Sequence, residues 1–388
     1  MSEPGHPSQE INEQIGATVS AVSTPAPGIR RRRVGATGCV ILVAAAMAAA
    51  ACSAPDPSPG DPSAVPAKNK AATGSRPRPV TAKQAADTPA ARPVVGVAGH
   101  YWVGHRWTTF TEPAHTGPAG TWLAARRLLT QIIFPLAGRP AHPSRPASGP
   151  LPMIVFAPGF MQCGGPYYRL LRSWASAGYV VVVVNFPHSD CKVGAAATES
   201  DLVHQPADVS YVITRMLALS SARRGLFSGL VNRRQVAIAG QSDGGDTVGA
   251  VAANTCCSDH RVVAVAVLSG AEWPPMAGKY FTKRPAPMLF VQGSADTVNW
   301  PGCGVQMYRA DSARARYYLD LFGANHTGPY WGSNRFERIV ARVSLAFFDR
   351  YVLKQDSGRA MRRAGNVSGF AALFSAGTGA LRPGPCDN

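Results

Sequence analysis

Acidic residues are scarce in this chain of 388 residues: 22 Asp and Glu stand against 39 Lys and Arg, which gives a formal net charge of +17. Such an excess is typical of proteins that meet nucleic acids or anionic surfaces. The sequence has no basic stripe interleaved with aromatic residues, and no helix-turn-helix, zinc-finger or RNA-binding signature. We therefore expect no nucleic-acid partner and interpret the charge as attraction to an anionic membrane or cell wall.

Cysteine pairs at the spacing of a zinc site are also lacking. Of the eight cysteines, two lie in or beside an apolar N-terminal segment and six lie further on: Cys39 and Cys52, then Cys163, Cys191, Cys256, Cys257, Cys303 and Cys386. No Cys-x-x-Cys motif occurs, and no His and Asp cluster has ligand spacing. The sequence thus predicts no metal and no cofactor, and an even set of cysteines in an exported protein predicts disulfides.

Export is indicated by the N-terminal region. Four arginines at 30–33 precede an apolar stretch that ends in three alanines and Cys52, which predicts that residues 1–52 are an N-terminal extension and signal peptide. Cys52 resembles the lipidated cysteine of a bacterial lipobox, with alanine where leucine is usual. Two alternatives remain open: an uncleaved membrane anchor, or release after an Ala-x-Ala cut. We expect a membrane lipoprotein on the outer side of the cell membrane, or a secreted protein.

The rest of the chain divides into two regions. Residues 53–95 are rich in Pro, Ala, Ser and charge, which predicts a disordered, extended linker. From residue 96, apolar runs alternate with amphipathic segments, which predicts strands at 126–135, 151–159, 179–187, 235–240, 262–270, 287–294 and 316–323, and helices at 166–178, 200–219, 243–254, 304–313 and 334–353. This alternation predicts an α/β catalytic domain over 96–388, with a mainly parallel sheet, helices on both faces and a Gly-rich C-terminal tail from residue 356.

One serine stands between an apolar strand and a helix of small residues, in QVAIAGQSDGGDTVGAVAA at 235–253. Ser242 lies between Gly240 and Gly244, the spacing of the Gly-x-Ser-x-Gly nucleophile elbow. The turn is so tight that bulky flanking residues would clash, and it places the hydroxyl at a helix N-terminus, where N–H groups stabilise negative charge. We interpret Ser242 as a nucleophile; the alternative is a structural glycine-rich turn in an inactive domain.

A serine nucleophile needs a base, and the base needs a carboxylate. His326 follows the last predicted strand and Asp296 follows the strand 287–294, so both belong at the carboxyl edge of the sheet, beside the serine. Asp320 and Asp246 are less suitable acids, because the first lies inside a strand and the second inside the helix after Ser242. The backbone N–H groups of Asp243 and Phe160 are the expected oxyanion donors, the latter in the loop after MIVFAPG.

The segments RRLLTQIIFPLAG, LPMIVFAPGF, SWASAGYVVVVVNFP, AIAGQSDGG, MLFVQGSADTV and GANHTGPY carry a family resemblance. Over about residues 110–355 the chain resembles an α/β-hydrolase of the dienelactone hydrolase-like group, near bacterial cutinases and polyester hydrolases, chlorophyllase-like proteins and platelet-activating-factor acetylhydrolase-like esterases. The resemblance implies the α/β-hydrolase fold and cofactor-free hydrolysis of small-molecule, lipid or polymer esters. It implies Ser242 as nucleophile, Asp296 as acid and His326 as base, with Phe160 and Asp243 as oxyanion donors.

The sequence departs from this pattern beside the nucleophile. Polyester hydrolases usually carry Met after the serine and often Trp or His before it, whereas Asp243 and Gln241 stand here. The anionic side chain disfavours acidic substrates. The segment 271–286, with Trp273 and Tyr280, is expected either to line the pocket or to pack in the core.

Three further expectations concern cysteines and function. Cys163 and Cys191 follow strands that this fold places side by side, which predicts a disulfide near the cleft, with two free thiols as the alternative. Cys386 is expected to return to Cys256 and Cys257, which leaves Cys303 without a partner. The function expected is an exported serine esterase, a monomer; the alternatives are an amide or peptide hydrolase with the same triad and a non-catalytic binding lipoprotein.

Overall fold

The computed structural model describes residues 96, 98–116, 122–140, 144–377, 381 and 384–386. The predicted signal peptide, the proposed lipidation site Cys52 and the linker 53–95 lie outside the described residues. Within the part of the chain that the structure describes, no helix is both long enough and apolar enough to cross a membrane.

The strands, in chain order, are β1 (Val103–Glu112), β2 (His115–Thr116), β3 (Trp122–Leu123), β4 (Arg126–Pro135), β5 (Leu151–Ala157), β6 (Val180–Asn185), β7 (Val231–Gln241), β8 (Val262–Leu268), β9 (Met288–Gly293), β10 (Arg316–Leu321) and β11 (Ala371–Ser375). The α-helices are α1 (Tyr168–Ser176), α2 (Gln205–Ser221), α3 (Asp243–Ala253), α4 (Pro301–Ala310), α5 (Arg335–Tyr351) and α6 (Gly358–Gly365). Short 3₁₀ helices occupy Gly194–Ala196 and Glu199–Val203.

Nine of these strands form one sheet in the order β1-β4-β6-β5-β7-β8-β9-β10-β11. The six from β6 to β10 in this order run parallel, whereas β1, β4 and β11 pair antiparallel with their neighbours at the two sides. The sheet is therefore mainly parallel, as the sequence predicted. The carboxyl ends of β5, β7, β9 and β10 lie at one edge, so the loops that follow them share one side of the domain.

The central strands are apolar because both faces of the sheet are covered. In β6, Val180, Val182 and Val184 pack into one core cluster and Val181 and Val183 into the other. The first cluster includes residues of α2, α3 and α4, and the second includes residues of α1 and α5. Helices therefore cover both faces, as predicted from the alternation of apolar runs and amphipathic segments.

The C-terminal region differs from the prediction of a glycine-rich tail. It forms α6 and then β11, whose residues pair with β10 from Leu321 with Ala371 to Tyr317 with Ser375. The first strand, β1, was not predicted because its sequence VGHRWTTFTE contains no apolar run. Its backbone pairs along its whole length with β4, so the neighbouring strand supplies the stabilisation that the side chains do not indicate.

Three disulfides are present among the described residues: Cys163–Cys191, Cys256–Cys257 and Cys303–Cys386. The expected return of Cys386 to Cys256 and Cys257 is wrong. The chain end instead lies against the start of α4, where a Cβ added at Gly302 would be 2.1 Å from the carbonyl oxygen of Pro385. The missing side chain at Gly302 lets the tail approach closely enough to reach Cys303.

Candidate active site

Ser242 lies at the sharp turn between β7 and α3, in a backbone conformation that L-residues rarely adopt (φ 56°, ψ −129°). Gly240 and Gly244 must be glycine, because a side chain at either position would clash with the backbone. A Cβ at Gly240 would stand 1.9 Å from the carbonyl oxygen of Gly244, and a Cβ at Gly244 would stand 1.9 Å from that of Ala157. The turn therefore closes only with glycine at both positions, and it presents the serine hydroxyl at the carboxyl edge of the sheet.

Three side chains that are far apart in the sequence meet at this edge. The Nε2 atom of His326 lies 2.9 Å from the Oγ atom of Ser242, and its Nδ1 atom lies 2.8 Å from the Oδ2 atom of Asp296. His326 is in the loop after β10 and Asp296 in the loop after β9. These distances and the order serine, histidine, carboxylate are those of a catalytic triad.

Asp296 is buried, and its carboxylate accepts several hydrogen bonds besides the one to the imidazole. Oδ1 accepts from the backbone N–H groups of Val298 and Asn299 at 3.0 and 3.1 Å. Oδ2 accepts from Nε2 of Gln292 at 2.8 Å. The carboxylate is therefore held in one orientation, with Oδ2 turned to His326. Asp320 lies inside β10, and Asp246 accepts the backbone N–H of Ala271 at 2.6 Å.

The loop after β5 passes directly beside the serine. A Cβ added at Gly159 would be 3.0 Å from the Cβ of Ser242, and Phe160 follows as part of the lining of the same cleft. Among the described residues, the backbone N–H of Phe160 has no hydrogen-bond acceptor. Asp243 is the first residue of α3 and also lines the cleft. Both expected oxyanion donors thus belong to elements that border Ser242.

The loop after β5, residues 158–165, is called the oxyanion loop here because it carries the expected oxyanion donor Phe160. It is fixed by contacts with the loop after β6. The Cys163–Cys191 disulfide joins the two loops, with a Cα–Cα distance of 5.3 Å. Nearby, the backbone N–H of Met161 donates to the carbonyl oxygen of Ser189 at 2.8 Å. These links hold the loop after β5 close to its neighbour and beside the nucleophile.

Tyr167 and Gln241 connect the oxyanion loop with the histidine. The Tyr167 hydroxyl accepts the backbone N–H of Gly159 at 3.2 Å and donates to Oε1 of Gln241 at 2.7 Å. The Nε2 atom of Gln241 lies 3.2 Å from Nε2 of His326 and donates to its carbonyl oxygen at 3.3 Å. Neither residue has a role that the sequence predicts, although the position of Gln241 inside Gly-x-Ser-x-Gly placed it next to the expected nucleophile.

The cleft above Ser242 has a volume of about 380 Å³. Trp273 and Trp331 line it. Trp273 belongs to the segment 271–286, so part of this segment lines the pocket, which was one of the two expectations for it. Tyr280 lines a neighbouring cavity of about 450 Å³ together with Cys303 and Cys386, and this cavity shares Glu272 and Trp273 with the cleft.

Asp243 is half-buried, and the cleft alters its acidity. Burial raises the pKa of its carboxyl group to about 7, and the nearby Glu199 adds to the rise; its own backbone N–H and His326 act in the opposite direction. The Oδ2 atom of Asp243 is shielded and has no hydrogen-bond partner among the described residues. The carboxyl group beside the nucleophile is therefore part neutral and part ionised near pH 7.

No group of three or more His, Cys, Asp or Glu side chains suited to a metal ion occurs in the described part of the chain. No protein-family model matches the sequence, and a search of the curated proteins finds no significant relative.

Proposed function

We propose that this protein is a serine hydrolase that cleaves carboxylic esters through an acyl-enzyme intermediate. The observation that supports it most directly is the hydrogen-bonded series Ser242, His326 and Asp296, with separations of 2.9 and 2.8 Å, at a strained strand-to-helix turn. We further propose that the domain belongs to the α/β-hydrolase fold, because these three residues follow the strands and the chain order that this fold uses.

In the acylation step, Nε2 of His326 takes the proton of the Ser242 hydroxyl as Oγ bonds to the ester carbonyl carbon. The carbonyl oxygen becomes an oxyanion that accepts hydrogen bonds from the backbone N–H groups of Phe160 and Asp243. Asp296 stabilises the imidazolium and keeps Nε2 facing the serine. When the tetrahedral intermediate collapses, the bond to the alkoxy oxygen breaks and His326 gives its proton to the departing alcohol.

Deacylation repeats these steps with water as the nucleophile. His326 takes a proton from water, the hydroxide oxygen bonds to the acyl carbon, and a second oxyanion forms at the same two donors. The bond to Oγ then breaks, the proton on Nε2 returns to Ser242, and the carboxylic acid leaves. No cofactor enters these steps, because each proton and electron pair passes between substrate, water and the three side chains.

The test is the removal of one oxygen atom. Ser242→Ala should lower turnover of short p-nitrophenyl esters by at least about 10³-fold while the circular dichroism spectrum stays unchanged. A fluorophosphonate probe should label the unmodified protein once, and mass spectrometry should locate the label on Ser242. Unchanged turnover by the variant would refute the proposal, and an unlabelled protein would favour the binding-lipoprotein alternative. A matched panel of esters and amides separates an esterase from an amide or peptide hydrolase.

A further inference from the structure

The candidate cleft has a charge opposite to that of the whole chain. Its lining includes Glu199, Asp243 and Glu272, together with the internally bonded Asp246, and it contains no Lys or Arg among the described residues. The chain as a whole has a net charge of +17. Carboxyl groups collected at one cleft of a basic protein need a local explanation, because the average composition would place basic residues there.

Three of these carboxyl groups, those of Glu199, Asp243 and Glu272, form no ion pair with any Lys, Arg or His of the described residues. Burial raises the pKa of both Asp243 and Glu272, and for Asp243 its own backbone N–H and His326 offset this rise only in part. Glu199 starts a 3₁₀ helix and is exposed at the cleft, close enough for its charge to raise the pKa of Asp243.

Asp243 is the carboxyl group of this set that follows the proposed nucleophile directly in the chain. Its side chain belongs to the residue that follows the nucleophile, and its Oδ2 atom is shielded without a hydrogen-bond partner. Among the described residues, the basic group that acts on Asp243 is His326, whose Nδ1 already contacts Asp296. Asp243 also lines the cleft, so the negative charge of its carboxylate is stabilised when a bound ligand brings a cation.

The aromatic lining favours the cation over a neutral donor. Trp273 and Trp331 border the same cleft, and indole rings are the side chains that attract a cationic nitrogen most strongly through their π faces. Carboxylates and indoles together form the kind of surface that stabilises a desolvated ammonium group. A neutral alkyl ester uses the indoles and leaves the carboxyl groups unpaired.

We propose that the cleft selects esters that carry a cationic nitrogen a few bonds from the ester carbonyl, with Asp243 and Glu199 as the residues that determine this preference. The inference rests on the proposed esterase function. The cation is close to the carbonyl because Asp243 is adjacent to Ser242 in the chain. It belongs either to the acyl part or to the alcohol part of the ester, and the two sources are separated by experiment.

The experiment compares esters that differ only in one charge. In the acyl arm, the p-nitrophenyl ester of 4-(trimethylammonio)butanoic acid is compared with that of its neutral isostere, 5,5-dimethylhexanoic acid. In the alcohol arm, butyrylcholine is compared with 3,3-dimethylbutyl butyrate. We expect kcat/KM to be about tenfold or more higher for the cationic member of at least one pair at low ionic strength, as for one partly desolvated ion pair. The ratio should fall in about 0.5 M salt but stay above one, because an ion pair that is partly desolvated is screened less than an exposed pair.

Charge-neutralising variants assign the effect to its residues. Glu199→Gln and Asp243→Asn should each reduce the cationic-to-neutral ratio of kcat/KM about threefold or more, and the double variant should bring it close to one. The ratio is used because Asp243 also supplies an oxyanion donor, so its absolute rates change for other reasons. Asp356→Asn is the matched control, since it removes one acidic charge from a side chain that is 97% exposed and outside the cleft; its ratio should equal that of the unmodified protein.

Two results would overturn the inference while leaving the proposed function intact. One is hydrolysis of the neutral esters with a ratio of one or less in both arms. The other is a cationic preference that persists unchanged in the double variant. If neither class of ester is hydrolysed and no serine reacts with a fluorophosphonate, the proposed function itself fails, and the substrate preference fails with it.

Discussion

At the scale of single residues, Asp296 matters through the orientation that it imposes on His326. Its Oδ2 accepts from Nδ1 of the imidazole, which leaves Nε2 unprotonated and facing the serine hydroxyl. Asp296→Asn should lower kcat for p-nitrophenyl esters by about 10³–10⁴-fold, because an amide at this position favours the wrong tautomer. Steady-state kinetics of the folded variant tests this.

The control for this prediction is Asp320→Asn, a carboxylate that the sequence offered as an alternative acid and that lies inside β10. We expect kcat to change less than about threefold. Equal losses in the two variants would contradict the assignment of Asp296 as the acid of the triad.

Tyr167 acts at the same scale but through other residues. Its hydroxyl lies between the Gly159 backbone N–H and Oε1 of Gln241, and Gln241 in turn contacts His326. Tyr167→Phe keeps the ring and removes the hydroxyl, so the oxyanion loop and Gln241 lose their common partner. We expect kcat to fall about tenfold with little change in KM, and stability to fall by about 1–2 kcal/mol.

Tyr330→Phe provides the comparison for Tyr167→Phe. The Tyr330 hydroxyl is also buried and hydrogen-bonded, to the Ser269 hydroxyl at 2.9 Å and to the carbonyl oxygen of Val291 at 3.1 Å. Tyr330→Phe should lower the free energy of unfolding by a similar amount and should lower kcat less than Tyr167→Phe does. If the two variants lose kcat equally for an equal loss of stability, Tyr167 is structural and has no positioning role.

At the scale of elements, the oxyanion loop depends on the loop after β6. Cys163–Cys191 spans 28 residues of sequence, and a loop of this length loses about 3–4 kcal/mol of chain entropy when it is closed in the unfolded state. The double variant Cys163→Ser, Cys191→Ser should therefore unfold at lower urea concentration. It should also lose kcat by about tenfold, because Phe160 lies three residues before Cys163 and its N–H is no longer held as firmly.

Cys256→Ser, Cys257→Ser is the matched control, because it removes a disulfide between neighbouring residues that closes no long chain segment. We expect a smaller loss of stability and no loss of kcat. Comparable losses of kcat in the two double variants would show that the effect is general and that the oxyanion loop is not its cause.

Which elements a sequence predicts depends on where their stabilisation comes from. The strand from Val180 to Asn185 is buried on both faces, so its apolar run is visible in the sequence alone. β1 is held by backbone pairing to β4, and its sequence VGHRWTTFTE shows no comparable pattern. β11 pairs with β10 and has only a short apolar run, AALFS, in a segment rich in glycine. The pairing of Cys386 was also not predictable from the sequence, because the close packing of the chain end against Gly302 determines it.

The same distinction applies to the site. Ser242, Asp296 and His326 were predictable because each follows the carboxyl end of a parallel strand, and the topology of a parallel sheet brings such ends together. Tyr167 and Gln241 interact across 74 residues, and only the distances in the folded chain reveal that contact. Position along a strand is thus encoded locally, whereas hydrogen bonds between loops are not.

At the scale of the whole molecule, stability depends on carboxyl groups that are buried within the fold. Asp349 of α5 is 6% exposed and accepts a hydrogen bond from the Tyr179 hydroxyl at 2.8 Å, which joins α5 to the start of β6. Burial raises its pKa from 3.8 to about 6, an effect that the hydrogen bond from Tyr179 only partly offsets. The folded protein therefore binds this proton more tightly than the unfolded chain does.

The sign of the pH dependence follows from that difference. Between about pH 4 and pH 6 the unfolded chain releases the proton of Asp349 before the folded protein does, so rising pH costs the folded state free energy. Asp349→Asn keeps an acceptor for Tyr179 and removes the ionisation. Its free energy of unfolding, relative to that of the unmodified protein, should therefore rise by up to about 3 kcal/mol between pH 4 and pH 7.

Urea unfolding of both proteins at a series of pH values measures this difference, and Asp356→Asn serves as the exposed control. The other buried carboxyl groups remain in each protein, so their contributions cancel when the two curves are subtracted. A difference that stays constant from pH 4 to pH 7 would show that Asp349 ionises equally readily in the folded and unfolded chain. A difference that rises as expected assigns part of the loss of stability toward neutral pH to the contact between α5 and β6.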